Sequence, residues 1–147
     1  MKTETAFLPK VVAFCCAHSA YQTADCAGYE RIAYPESLRV VRVPCAGRVD
    51  VIHILKAFEK GADGVLVFGC HEEACRHISG NIRAKNRVHE ANSLLKEIGI
   101  DGKRVAMFNL APNQGARFAQ IAIETCERIK QLGPSPAKQQ AKTGAMK

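Results

Sequence analysis

Five of the seven thiols in this sequence fall at four places: Cys15-Cys16, Cys45, Cys70 and Cys75, the last two enclosing His71-Glu72-Glu73-Ala74. A cysteine can ligate iron or zinc as the thiolate, attack as a nucleophile, or fill a core as a small apolar residue. The four-residue gap in Gly69-Cys-His-Glu-Glu-Ala-Cys75 suits the longer bite of a 2Fe-2S cluster and also lies within the range of zinc sites, so spacing alone leaves both open. Taken singly, each cysteine reads equally well as core packing.

Other residues of these segments bear on the same chemistry. Gly47, Gly69 and Gly80 would let the backbone turn sharply and bring amide N–H groups to sulfur, while Arg42, Arg48 and Arg76 could offset the charge of an anionic cluster. His18, His71 and His77 could replace a thiolate, as imidazole does in Rieske centres, or simply hydrogen-bond to loop backbone. Cys26, in Ala24-Asp-Cys-Ala-Gly28, is a reserve ligand or a buried residue, and Cys126 falls on the apolar side of a helix as core filling.

The elements that must position these thiols can be read from periodicity. Val11-Val-Ala-Phe-Cys15, Leu38-Arg-Val-Val-Arg-Val43, Gly64-Val-Leu-Val-Phe68 and Arg104-Val-Ala-Met-Phe108 are short β-branched or apolar runs and predict four strands. Helical spacing appears in residues 49–60 (Val51, Ile52, Leu55, Phe58), in residues 82–98 (Val88, Ala91, Leu94, Leu95, Ile98), and from Phe118 to Leu132. Gly61, Gly99 and Gly133-Pro134 stand where these helices would stop. From the second strand onward the order is βαβαβα. It predicts an α/β fold: a small three-layer parallel sheet of about four strands, flavodoxin-like or Rossmann-like, with helices on both faces and right-handed crossovers.

Parallel strands all end on one edge, where open α/β folds hold their ligands. Cys15-Cys16, Cys45 and Cys70 follow three strand ends, and Cys75 belongs to the loop that Cys70 begins. The four are therefore expected to converge, and together they could enclose an iron–sulfur cluster or a zinc ion.

Composition bounds the rest. A chain of 147 residues, 47% hydrophobic and 24% charged, suits one globular domain, expected over residues 1–133 with a flexible basic tail over 134–147. No apolar run is long enough to span a membrane, the first residues lack the apolar core of a signal peptide, and a cytoplasmic location is expected. Seven cysteines in a reducing compartment point to metal or redox chemistry rather than disulfides. Without Lys138, Lys142 and Lys147 of the acid-free tail, the formal charge of +7 falls to +4, and Tyr21, Tyr29 and Tyr34 form no RNA-binding pattern; no nucleic-acid partner is expected. Gly61-Ala-Asp-Gly64 is no phosphate-binding fingerprint, and Asp25, Asp50 and Asp63 have no evident catalytic partner, so independent turnover is not expected.

Four segments together resemble a known family. Phe14-Cys-Cys-Ala-His-Ser-Ala-Tyr-Gln-Thr-Ala-Asp25, Val43-Pro-Cys-Ala-Gly-Arg-Val-Asp50, Phe58-Glu-Lys-Gly-Ala-Asp-Gly-Val-Leu-Val67 and Gly69-Cys-His-Glu-Glu-Ala-Cys-Arg-His-Ile-Ser-Gly-Asn81 are similar to the delta subunit of methyl-viologen-reducing hydrogenase, over about residues 11 to 133. The resemblance implies a non-catalytic 2Fe-2S electron carrier between a hydrogenase, or another electron donor, and the flavin-containing subunit of a heterodisulfide-reductase-like complex. Its first loop usually reads Cys-Asn-Trp-Cys. Aligned on Cys16, that loop puts Ser19 where the family has its second cysteine. Because the family offers five cysteines for four ligand places, the resemblance implies Cys16, Cys45, Cys70 and Cys75 as the ligands, with Cys15 or Cys26 as substitutes. A cluster-free scaffold that docks a flavoprotein, or a zinc or thiol module, are the rival readings.

Overall fold

A computed structural model describes residues 6–144. Its centre is a four-stranded, wholly parallel sheet of β1 (Val11–Cys16), β2 (Leu38–Val43), β3 (Gly64–Gly69) and β4 (Val105–Asn109) in the order β2-β1-β3-β4. The helices α1 (Ala20–Tyr29), α2 (Val51–Glu59), α3 (Gly80–Glu97), α4 (Gly115–Leu132) and α5 (Pro136–Gly144) complete the fold. Every residue of β3 is buried, as an interior strand covered on both faces requires. The α/β layering expected from the sequence is what the chain adopts.

One core layer lies under α2 and α3 and is built on Ile54, Phe58, Val65, Val67, Val88 and Leu95. The opposite layer lies under α1 and α4, on Val11, Leu66, Phe68, Phe118, Ile121 and Ile129. Successive residues of a strand point to opposite faces, so Cys15 joins the α1/α4 layer and Cys16 the α2/α3 layer.

Helix α1 is not announced by the sequence because its inward positions, Ala20, Thr23, Ala24 and Ala27, are small. Their size is the reason for its placement: α4 approaches so closely that a Cβ on Gly115 would come 3.0 Å from the Ala27 nitrogen. Thr23 secures the contact by donating to the Ala111 carbonyl at 2.7 Å.

Helix α5 occupies most of the stretch read from sequence as a tail. It is tied down by the buried Asp63, whose carboxylate accepts from the backbone N–H groups of Ser135 and Lys10, both at 2.9 Å, and pairs with Lys138 at 3.2 Å. Arg104, itself buried, donates to the carbonyls of Asp63 (3.0 Å) and Gly133 (2.9 Å). Gly133 turns the chain between α4 and α5 at a φ of +75°, open to glycine at little cost. Among the described residues, no helix is long and apolar enough to cross a membrane.

Candidate metal centre

The strand order fixes where a site can form. From β1 the chain moves outward to β2, then crosses back over β1 to β3, so the connections after β1 and β3 leave toward opposite faces and open a crevice between them. Cys16 ends β1 and Cys70 follows β3, which puts both at the mouth of that crevice, with their sulfurs 3.6 Å apart. The Cys70 carbonyl is gripped by the side-chain amides of Asn81, at 3.1 Å, and of Asn109.

Cys45 and Cys75 form the second pair. Cys45 opens the 3-10 turn Ala46–Arg48 and accepts from the Gly47 N–H at 3.4 Å. Cys75 follows the turn Glu72–Ala74, and its thiol lies in reach of the Cys45 thiol. Both sulfurs crowd Gly80, the first residue of α3: a Cβ there would overlap the Cys45 sulfur and come 3.4 Å from that of Cys75. Gly47 and Gly80 press backbone on backbone, since a Cβ on Gly47 would stand 2.8 Å from the Gly80 Cα. Only residues without side chains allow the two segments this approach.

The electrostatics differ thiol by thiol. Burial raises the pKa of Cys45, against the Gly47 N–H. Cys70 is also raised by burial, with the Ser19 hydroxyl and the Arg76 backbone N–H opposing. For Cys75 burial pushes upward too, but the backbone N–H groups of Asn81, His77 and Gly80 outweigh it and the pKa falls. Two of those donors belong to the first turn of α3, whose cap residue Ser79 makes no side-chain capping bond, so these N–H groups are free to serve the sulfur.

Ser19 is 3% exposed, yet its hydroxyl finds no hydrogen-bond partner among the described residues. It does not cap α1, although it precedes that helix. No bond of good geometry forms, but the Cys70 sulfur is the acceptor this buried hydroxyl lies beside, and donation toward it favours the thiolate.

The remaining candidates lie elsewhere or at the rim. Cys15 is fully buried in the α1/α4 layer, where burial and then the neighbouring Cys16 push its thiol up to about 12. Cys26 is half-buried on α1, and Cys126 lies in the α1/α4 core, where the Ser37 hydroxyl donates to its sulfur at 3.6 Å. His18 and His77 face each other with ring centres 5.7 Å apart, and His71 is exposed. Desolvation and the charges of Arg76, His77 and Arg42 hold His18 below the ordinary imidazole range. Between Cys75 and Gly80 the loop is strained, for Ile78 is β-branched, has a φ of +63° and is 85% exposed.

Sequence reasoning assigned no part to Asn81 and Asn109, which hold the loop by its carbonyls. Asn81 directly follows Gly80, but nothing in its type distinguishes a carbonyl clamp from a helix-start residue. Among the described residues, no three His, Cys, Asp or Glu side chains close around a single ion. The thiols meet as two pairs.

A doubly wound α/β domain with paired thiols at its switch point is the class defined by this geometry. The chain belongs to the family described as methyl-viologen-reducing hydrogenase, delta subunit, which matches residues 11–133. It is 42% identical over 132 residues to the F420-non-reducing hydrogenase vhu iron-sulfur subunit of Methanocaldococcus jannaschii, covering 90% of this chain and 98% of that protein. The corresponding protein of Methanopyrus kandleri is 44% identical over 124 residues, 84% of this chain and 94% of that one. A longer relative, a subunit of the ferredoxin:CoB-CoM heterodisulfide reductase of Methanosarcina mazei, is 40% identical over 126 residues, which are 86% of this chain and 16% of that protein.

Proposed function

We propose that Cys16, Cys45, Cys70 and Cys75 hold a 2Fe-2S cluster and that the chain is an electron-transfer subunit. In this reading it relays single electrons between a hydrogenase-type donor and the flavin-containing subunit of a heterodisulfide-reductase-like complex. The carrying observation is the arrangement of the thiols in two pairs, Cys16 with Cys70 and Cys45 with Cys75, the second pair packed on Gly80. Two thiolates on one tetrahedral metal, each bond about 2.3 Å, lie roughly 3.8 Å apart, close to the 3.6 Å between Cys16 and Cys70. Two such pairs suit two irons better than one zinc. The relatives' names, which speak of iron-sulfur in one case and heterodisulfide reductase in the other, support both cofactor and partners.

When bound, the cluster would supply one-electron chemistry without bond rearrangement. The residues of this chain do the rest. The N–H groups of Gly47, His77, Gly80 and Asn81 turn positive dipole toward Cys45 and Cys75, which favours the thiolate form and softens the net negative charge. Asn81 and Asn109 fix the loop that carries Cys70, and the packed layers keep water from the Cys16 side.

Anaerobic purification followed by iron and sulfide analysis and electron paramagnetic resonance tests the reading. About two irons and two sulfides per chain are expected, with loss of the signal in Cys75→Ser and Cys70→Ser. One zinc per chain without sulfide would replace this reading by the zinc module, and metal-free protein that still captures a flavoprotein would replace it by the scaffold.

A further inference from the structure

Beside Cys45 the surface opens into a cleft of about 700 Å³ whose walls carry Arg48, Arg83 and Arg87 together with His53 and His77. None of the three arginines takes part in an ion pair among the described residues. Arg83 and Arg87 stand one turn apart on α3, an arrangement of like charges that costs a helix roughly 0.2–0.5 kcal/mol. Arg87 is steered by donating to the Gly47 carbonyl, on the turn that carries Cys45. The sole carboxylate in the lining, Asp50, is committed to capping α2, accepting from the Val51 N–H at 2.7 Å. Three guanidiniums without an ion-pair partner thus share a cleft with Cys45, which is 7% exposed and lies in reach of the half-buried Cys75.

We infer that this cleft is the docking surface for a redox partner that presents carboxylates around its own electron-transfer centre, and that electrons enter or leave by the Cys45–Cys75 side. The inference rests on the proposed cofactor for its electron-transfer half only; its binding half concerns the chain alone. Charge complementarity argues for an acidic protein face: opposite potentials steer encounter and set its orientation, and arginine forks suit paired carboxylates. A cleft open to solvent on the Cys45 side lets such a face reach the thiol pair without any movement of the core.

Two measurements test it on the full chain. In the first, the redox-inert anion hexacyanochromate(III) is added to cluster-free protein and proton resonances are followed. Selective broadening of the His53 and His77 rings is expected, abolished in R48E/R83E and retained in K103E/K130E, which makes the same charge change on other surfaces. In the second, dithionite-reduced, cluster-loaded protein gives one electron to cobalt(III)-EDTA, an anion, which becomes cobalt(II), or to hexaammineruthenium(III), a cation, which becomes ruthenium(II). At low ionic strength R48E/R83E should slow the anionic oxidant roughly tenfold and speed the cationic one, R48Q/R83Q falling between. Equal behaviour of the two charge-reversed pairs, or broadening spread over the surface, overturns the inference. Micromolar binding of pyrophosphate that excludes the chromium probe would overturn it in favour of a small phosphorylated ligand. Failure to load iron sinks the electron route and the proposed cofactor together, whereas a loaded protein indifferent to probe charge sinks the docking surface alone.

Discussion

Gly80 faces the sulfur of Cys45 with no room for a methyl group between them. The residue that begins α3 is therefore also a wall of the thiol site, and the helix cannot take a side chain there without moving the Cys45 turn.

Gly80→Ala separates these roles. Helix propensity favours alanine by about 1 kcal/mol, while the overlap with sulfur costs about 1–3 kcal/mol as overpacking. Iron content is expected to fall at least twofold in the variant, with far-ultraviolet circular dichroism unchanged. Full iron loading would show that the Cys45 turn yields freely.

Ser19→Ala should leave iron content intact and lower the midpoint potential. A hydroxyl donated toward a sulfur of the site stabilises the more negative, reduced state. A difference of about 1 kcal/mol corresponds to roughly 40 mV for one electron. A redox titration followed by paramagnetic resonance measures it, and an unchanged potential would relegate the buried hydroxyl to packing.

Alkaline stability should depend on Cys15. Its thiol is raised from 9.0 to about 12, so folding holds it neutral. Its contribution is complete below pH 9 and is lost as pH rises toward 12. The loss is bounded at about 4 kcal/mol by pH 12, one pKa unit being about 1.4 kcal/mol. Urea unfolding of Cys15→Ala should show a lower stability at neutral pH and a shallower decline between pH 9 and 11 than the parent chain.

Asp63→Asn tests the anchor of α5. The carboxylate serves two backbone N–H groups and Lys138 from a fully buried position. Its neutralisation should cost about 2–4 kcal/mol. Hydrogen exchange should accelerate in residues 136–144 well before the sheet is affected. Uniform acceleration throughout the chain would instead make Asp63 part of the global core.

The sequence made the sheet readable because its four strands are apolar runs separated by amphipathic helices, and parallel strands place their ends together. Cys16, Cys45 and Cys70 could thus be brought to one edge on paper. The pairing of Cys45 with Cys75 could not, since it depends on the backbone contact of Gly47 with Gly80, two residues 33 positions apart in sequence. Helix α1 escaped notice because alanines pack it; α5 did because its anchor is the distant Asp63, whose partners no local pattern reveals. Which of Cys15 and Cys16 faces the crevice followed from strand alternation only once the helices had been assigned to their layers.

The contact between Cys16 and Cys70 spans 54 residues of chain, and the Gly80 wall comes later still. A nascent chain emerging from the ribosome has no complete thiol pocket until α3 has begun to appear. With the proposed cofactor, iron delivery would therefore be a late event in biogenesis, and a truncated product ending before that helix would leave its cysteines exposed to oxidants rather than shielded in a finished crevice.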